Sequence, residues 1–179
     1  MNAGGFIAVT GPAGQQPLGT GDLANYGGLV AASTVPPAGG TLTFVNVGGG
    51  QYVTIGAFTT SVHFPAALDW TNQDSIGTIN RSQGVQLTWT GGDADGVVAI
   101  RGTAFAAAGS QTPSASFLCS VPASAGQFTI PPTTLQALPF GAGTLTLENQ
   151  SSPQGITATG LDIGYAFAGA RFTINTAYN

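Results

Sequence analysis

The stretch VQLTWTGGDADGVVAI, residues 85–100, decides the fold class of this chain. Its first half alternates apolar Val85, Leu87 and Trp89 with polar residues, which is the period of a β-strand with one buried face. The central Gly-Gly-Asp-Ala-Asp-Gly consists of residues that accept a positive φ or hydrogen-bond their own backbone. A second apolar run, 97–100, follows directly. We therefore predict a β-hairpin over residues 85–100, with Trp89 in the core.

The rest of the chain follows the same pattern of short apolar runs bounded by Gly, Pro, Asn or Asp. This spacing is typical of an all-β sandwich or barrel. One helical turn is predicted at 132–138. The periodic signal is weakest in residues 11–40, which form either a long surface excursion or loosely packed strands. The predicted strands are Gly5–Thr10, Thr41–Val47, Tyr52–Phe64, Gly84–Thr90, Gly96–Thr103, Ala115–Val121, Gly126–Ile130, Gly143–Glu148, Gly155–Thr159 and Ala170–Thr176. We predict an all-β, immunoglobulin-like β-sandwich with additional N-terminal strands.

The domain organisation that we predict is a single unit, residues 1–179, with a seam near 65–70 at Pro65-Ala66-Ala67. Residues 1–65 would supply the N-terminal strands, and residues 66–179 would form the immunoglobulin-like sandwich. One continuous unit is preferred because some sixty residues alone would enclose only a thin core.

Charge is scarce in this sequence. The 179 residues include no lysine, three Arg, six Asp and one Glu, for a net charge of −4. Ordinary soluble domains are roughly one quarter charged. Three arginines cannot follow a phosphate backbone, so we expect no nucleic-acid partner. No apolar run approaches the roughly 18 residues of a membrane helix, so we expect no membrane span.

The N-terminus, Met1-Asn2-Ala3-Gly4-Gly5, has neither the basic nor the apolar region of a signal peptide. Together with the neutral, β-rich composition, this suggests a trimmed product or an excised module of a secreted protein. We expect an extracellular or cell-surface location. Cys119 is the only cysteine, so no internal disulfide can form. It is expected to be a small buried hydrophobe.

No catalytic constellation stands out, and we predict that the chain is not an enzyme. His63 is the only histidine and is interpreted as a strand residue, since a triad or a metal site requires further partners. Asp93 and Asp95, followed by Gly96, are the only metal candidates, because they resemble the start of a calcium loop. Later ligands are missing, so turn formation is the preferred interpretation. No cofactor is expected, with calcium as the one open possibility.

Arg81 follows a segment that contains Asp69 and Asp74. In a chain without lysine, an arginine is expected to pair with a carboxylate or to stack on an aromatic ring. We predict an ion pair between Arg81 and this acidic segment.

Several strings resemble a module found near the C-terminal ends of secreted acidobacterial proteins. They include Trp-Thr-Asn-Gln at 70–73, Asn-Arg-Ser-Gln-Gly at 80–84, Trp-Thr-Gly-Gly-Asp-Ala-Asp-Gly at 89–96 and Ser-Phe-Leu-Cys at 116–119. The resemblance covers roughly residues 40–165. It implies an extracellular, β-rich module without assigned catalytic residues.

Two functions follow from these features. The first is a non-enzymatic structural or adhesive module that binds copies of itself in an oligomer, filament or cell-surface assembly, because lysines that normally protect sheet edges are missing. Both terminal strands are apolar, so the predicted self-association residues are Phe6, Ile7, Val9, Phe172 and Ile174. The alternative is a carbohydrate-binding module that contacts a cell-surface glycan through Trp70. Tyr26, Tyr52, Tyr165 and Tyr178 are further aromatic candidates.

Overall fold

The computed structural model describes residues 2–12, 14–20, 26–27, 38–49, 52–106 and 113–179. The chain is all-β, as predicted, and forms two compact units. The first contains Met1–Ala66 and Ser151–Ala168, and the second contains Ala67–Gln150 and Gly169–Asn179. The division after Ala66 lies inside the interval 65–70 in which the seam is predicted. The sequence did not indicate that residues 151–168 return to the first unit.

The first unit is built on an antiparallel five-stranded sheet with the order β3-β2-β1-β4-β5. A two-stranded ribbon, β12-β13, belongs to the same unit. Residues 21–25 and 28–37, within the weak stretch 11–40, lie outside the described residues. The strands are β1 (Phe6–Gly11), β2 (Gly14–Thr20), β3 (Tyr26–Gly27), β4 (Gly40–Asn46), β5 (Phe58–Phe64), β12 (Gln154–Gly155) and β13 (Tyr165–Ala166).

Strand β1 lies inside its sheet, between β2 and β4. Ala8 and Val9 are both buried although they point to opposite faces. The consecutive apolar residues of 6–9 fit this burial on both faces. Because the backbone of β1 pairs on both sides, β1 is not an edge of this sheet.

The second unit contains two antiparallel sheets, one of three strands in the order β10-β7-β6 and one of four in the order β14-β11-β8-β9. The helical turn α1 (Pro132–Leu135) begins after Pro131, within the predicted 132–138. The immunoglobulin-like part of the fold prediction stays a prediction. The strands are β6 (Leu68–Trp70), β7 (Val85–Gly91), β8 (Val97–Phe105), β9 (Ser114–Pro122), β10 (Gln127–Ile130), β11 (Gly141–Gln150) and β14 (Gly169–Tyr178).

One hydrophobic core lies between these two sheets. Leu87 and Trp89 of β7 belong to the same buried cluster as Ile100 of β8 and Leu145 and Leu147 of β11. The indole Nε1–H of Trp89 donates to the carbonyl of Ala123 at 2.7 Å, so its one polar group is satisfied inside the core. The burial of Trp89 is confirmed.

The predicted hairpin over residues 85–100 is wrong. β7 pairs with β6 and β10, whereas β8 pairs with β9 and β11 in the other sheet. The chain turns from one sheet to the other through Gly91 and Gly92, with φ of 80° and 78°. Alternation specifies which face of a strand is buried, and both strands bury their apolar faces in the core. It does not specify whether two such strands lie side by side or on opposite sheets.

Candidate functional site

The four-stranded sheet of the second unit ends in two long edge strands, β9 with nine residues and β14 with ten. The three-stranded sheet ends in β6 and β10, with only three and four residues. Short edges are poor templates for another strand, whereas a long edge presents a continuous row of backbone donors and acceptors. The two long edges are therefore the candidate functional site.

The direction of the β9 backbone follows from two hydrogen bonds at its ends. The amide of Ala123 donates to Gly96 and the amide of Ala106 donates to Pro113, both at 2.9 Å. In an antiparallel ladder every second residue directs its backbone to the partner strand. The backbone groups of Ser116, Leu118 and Ser120 consequently point away from β8. Among the described residues they have no hydrogen-bond partner.

Strand β14 has the same kind of open edge over part of its length. The carbonyl of Ala177 accepts the amide of Ile79 at 2.8 Å, so it points away from β11. By alternation, the backbone groups of Arg171, Thr173 and Asn175 point the same way. Nothing in the described part of the chain pairs with them.

The C-terminal end of β14 is covered. The amide of Asn179 donates to Ile79 at 2.9 Å, and the amide of Arg81 donates to Asn179 at 2.7 Å. The hydroxyl of Thr176 donates to the carbonyl of Gly77 on the same side of the strand. The open part of the β14 edge is therefore limited to residues 169–175.

Charge on these edges is low. Residues 114–122 of β9 carry no charged side chain, and β14 carries only Arg171. The guanidinium of Arg171 donates to Glu148 Oε2 from Nη2 at 3.0 Å and from Nε at 3.2 Å. The side chain of Arg171 is 63% exposed and that of Glu148 7%. Because this carboxylate compensates the one charge, the β14 edge is close to neutral.

Both edge strands alternate between an outer polar face and an inner apolar face. On β14, Phe172 and Ile174 pack partly buried against the core, and on β9 Phe117 and Cys119 do the same. Burial raises the pKa of the Cys119 thiol. Leu118 is the exception on the outer face, where it is 54% exposed.

The residues predicted for self-association fall in different environments. Val9 is buried, Ile7 is half-buried and Phe6 is exposed beside a shallow depression that it lines with three other residues of β1 and β2. Phe172 and Ile174 lie on the open edge strand but direct their side chains into the sandwich. The structure thus brings together the two residues of β14, and it adds β9, which the sequence did not indicate.

The prediction that Trp70 contacts a glycan is wrong. Trp70 is 3% exposed in the core, and its Nε1–H donates to Asn72 Oδ1 at 3.0 Å. It pairs with Trp89 across β6 and β7, which explains why the ring is buried despite its polar neighbours. Tyr178 is also buried, and the side chain of Tyr26 lies outside the described residues.

The first unit has three exposed apolar side chains close together in sequence, at and around β13. Ile163, Tyr165 and Phe167 are 73%, 66% and 56% exposed. Tyr165 belongs to β13, Phe167 follows the strand directly, and Ile163 lies in a bend before it. Tyr52 is also exposed and is the only non-glycine residue with a positive φ among the described residues.

The acidic residues do not form a recognisable centre. Within the described ranges, no three His, Cys, Asp or Glu side chains form a group that could hold a metal ion. Asp93 accepts the amide of Gly96 with its backbone carbonyl at 3.0 Å, as expected of a turn. His63 lies exposed on β5, opposite Thr41 of β4. Calcium binding by Asp93 and Asp95 stays a prediction.

Arg81 does not pair with Asp69 or Asp74, so that prediction is wrong. Its Nη1 donates to the carbonyls of Gln136 and Leu138, and its guanidinium carbon lies 3.4 Å from the centroid of Phe140. Carbonyls at the end of the α1 turn lack partners within the turn and attract a cation. Arg81 thus binds these carbonyls and the Phe140 ring in place of a carboxylate. The expectation that an arginine of this chain stacks on an aromatic ring is confirmed for Arg81.

No family model, curated protein or solved structure matches the chain. Among the described residues, no helix has the length and apolarity required to cross a membrane.

Proposed function

We propose that this protein is a non-enzymatic structural module of the extracellular space or cell surface that associates with copies of itself. The observation that carries the proposal is the pair of long, nearly uncharged open edges on one sheet, β9 and β14. Open edges of this kind bind a further strand through backbone hydrogen bonds. Resemblance to a secreted acidobacterial module supports the extracellular setting.

The low charge of the whole chain supports the same function. Sheet edges are commonly protected by lysines, prolines or short length. β9 is long, its interior contains neither lysine nor proline, and Pro122 stands only at its last position. Only ten of the 179 side chains are charged, so few charges are available to repel a strand that approaches an edge.

Sedimentation velocity over a range of concentrations tests this function. The measurements are made in reducing agent, since Cys119 lies on β9. We expect the wild-type protein to form larger species as concentration rises. The double variant Leu118→Lys/Thr173→Lys, with one lysine on each edge, should remain monomeric with an unchanged circular dichroism spectrum.

The matched control is Ala94→Lys/Thr133→Lys. It adds the same charge at two exposed positions, one in the 93–96 turn and one on α1, away from both edges. It should associate like the wild type. A wild-type protein that stays monomeric at every concentration would contradict the proposed function, as would equal loss of association in both double variants.

Carbohydrate binding is the second candidate function. The observation that favours it is the exposure of Ile163, Tyr165 and Phe167, since flat aromatic rings with a polar tip suit contacts with partly apolar ligands. A glycan array should then give a signal that Tyr165→Ala removes. An array without any signal from the wild-type protein would reject this candidate.

A further inference from the structure

We infer that the association is head-to-tail: β9 of one copy pairs antiparallel with β14 of the next, and the four-stranded sheets join into one continuous sheet. This inference rests on the proposed function and specifies its partner surface and geometry. A contact between two different surfaces does not close on itself unless the rotation between copies forms a ring. Its product is therefore an open-ended chain of copies.

Strand direction permits this contact without reversing any copy. Each neighbouring pair in the order β14-β11-β8-β9 is antiparallel. Three antiparallel steps leave β9 and β14 running in opposite directions. Two copies in the same orientation therefore place β9 of one antiparallel to β14 of the other, with their three-stranded sheets on the same side.

The existing cross-strand rows define the register. Leu118 pairs with Arg101, Arg101 with Thr146, and Thr146 with Thr173, which forms one row across the sheet. If Leu118 lies opposite Thr173 of the next copy, this row continues straight across the contact. In the same register Ser120 lies opposite Arg171 and Ser116 opposite Asn175, all of them residues whose backbone groups point outward.

The side chains match on both faces in this register. On the inner face, Phe117 lies beside Ile174 of the next copy and Cys119 beside its Phe172. These side chains are only partly buried in a single copy, so an added strand covers more of their apolar surface. On the outer face, hydroxyl and amide side chains meet Leu118 and the compensated Arg171, and no two like charges face each other.

The covered end of β14 limits the contact. Residues 77–81 already occupy the edge beyond Asn175, so the open window is residues 169–175, matched by 116–122 of β9. Two β14 edges related by a two-fold axis at Phe172 could pair over the whole window 169–175, but both β9 edges would remain open. Two β9 edges could pair over their full length, but both β14 edges would remain open. The head-to-tail contact pairs both edges of every copy with one type of interface.

Two single-edge variants test the inference. Leu118→Pro blocks β9, and Thr173→Pro blocks β14. Each residue directs its N–H outward, so proline removes no hydrogen bond of the native sheet. Leu118→Lys and Thr173→Lys are parallel variants that keep the backbone unrestricted. Circular dichroism and thermal unfolding establish that each variant is folded before sedimentation is measured.

The head-to-tail contact predicts that neither single variant associates alone. An equimolar mixture should form a 1:1 dimer and no larger species, since Leu118→Pro retains an open β14 and Thr173→Pro an open β9. Self-association of the Thr173→Pro variant would indicate β9–β9 pairing and overturn the inference. Self-association of the Leu118→Pro variant would indicate β14–β14 pairing and overturn it too.

The remaining outcomes are also decisive. If the wild type associates but the mixture does not form a dimer, the head-to-tail geometry is wrong while the proposed function stands. If the wild type does not associate at any concentration, both are wrong.

Discussion

Tyr178, the last residue of β14, shows how a single side chain closes the core of the second unit. It is fully buried, and its hydroxyl donates to the carbonyl of Thr144 at 2.9 Å. Gly143 lies under the ring, where a Cβ would be 2.9 Å from it and 2.0 Å from the carbonyl of Thr103. Burial raises the pKa of Tyr178 to about 12.

The raised pKa of Tyr178 predicts a loss of stability at alkaline pH. Because the folded-state value lies above the ordinary 10.0, the stabilisation is fully present below pH 10 and is lost as the pH rises towards 12. The loss should be of the order of 2 kcal/mol. Denaturant unfolding of the wild type and of Tyr178→Phe between pH 8 and 12 measures it.

Tyr178→Phe is the control, because it keeps the ring and removes the ionisable group. At pH 8 it should cost about 1 kcal/mol for the lost hydrogen bond. As the pH rises, the difference in free energy of unfolding between the two proteins should fall to zero and then change sign. A gap that stays constant up to pH 12 would contradict this role of burial.

The sequence predicts some of these residues better than others. Trp89 alternates with Val85 and Leu87, so its burial follows from the strand period. Trp70 stands in the polar run Asp-Trp-Thr-Asn-Gln, and only its cross-strand pairing with Trp89 explains why it is buried. Tyr178 could not be distinguished from an exposed aromatic, since the space for it is created by glycines on two other strands.

At the level of elements, the corner between β7 and β8 determines how the sandwich forms. Gly91 has a φ of 80°, and a Cβ at this position would lie 2.5 Å from the carbonyl of Ala67. The same backbone approach allows the amide of Gly92 to donate to Ala67 at 2.9 Å. Only glycine satisfies both the positive φ and the close approach.

Backbone strain in Gly91→Ala should therefore destabilise the protein by about 1–3 kcal/mol. The steric contact between the new Cβ and the carbonyl of Ala67 should add to this loss. Thermal or denaturant unfolding measures the change. Gly77→Ala is the matched control in the same unit, since its Cβ would meet nothing within 4 Å and its φ is not positive. The control should shift stability by less than about 0.5 kcal/mol. Equal stability of the two variants would show that the corner tolerates a side chain.

Strand positions were predictable from the sequence, whereas strand partners were not. Eight of the ten predicted ranges match strands to within a few residues at each end, because alternation and Gly/Pro punctuation are local properties. Pairing depends on contacts between residues far apart in the chain. This explains why the hairpin prediction is wrong, and why the sequence does not identify β9 as an edge.

On the scale of the whole molecule, the chain leaves one unit and returns to it. Residues 151–168 follow β11 of the second unit but belong to the first. There the amide of Gly56 donates to Thr159 at 2.7 Å, and β12 and β13 contact β5. Nothing in the local pattern of 151–168 indicates which unit it joins, since this depends on contacts with residues some hundred positions away.

Hydrogen exchange of the edge amides tests the central claim of open, self-associating edges most directly. Six edge amides have no partner among the described residues of a single copy, so they should exchange rapidly in dilute solution: Ser116, Leu118, Ser120, Arg171, Thr173 and Asn175. Raising the protein concentration should slow all six, while the exposed amide of Ser152 remains fast. Six edge amides that exchange equally fast at every concentration would contradict the account.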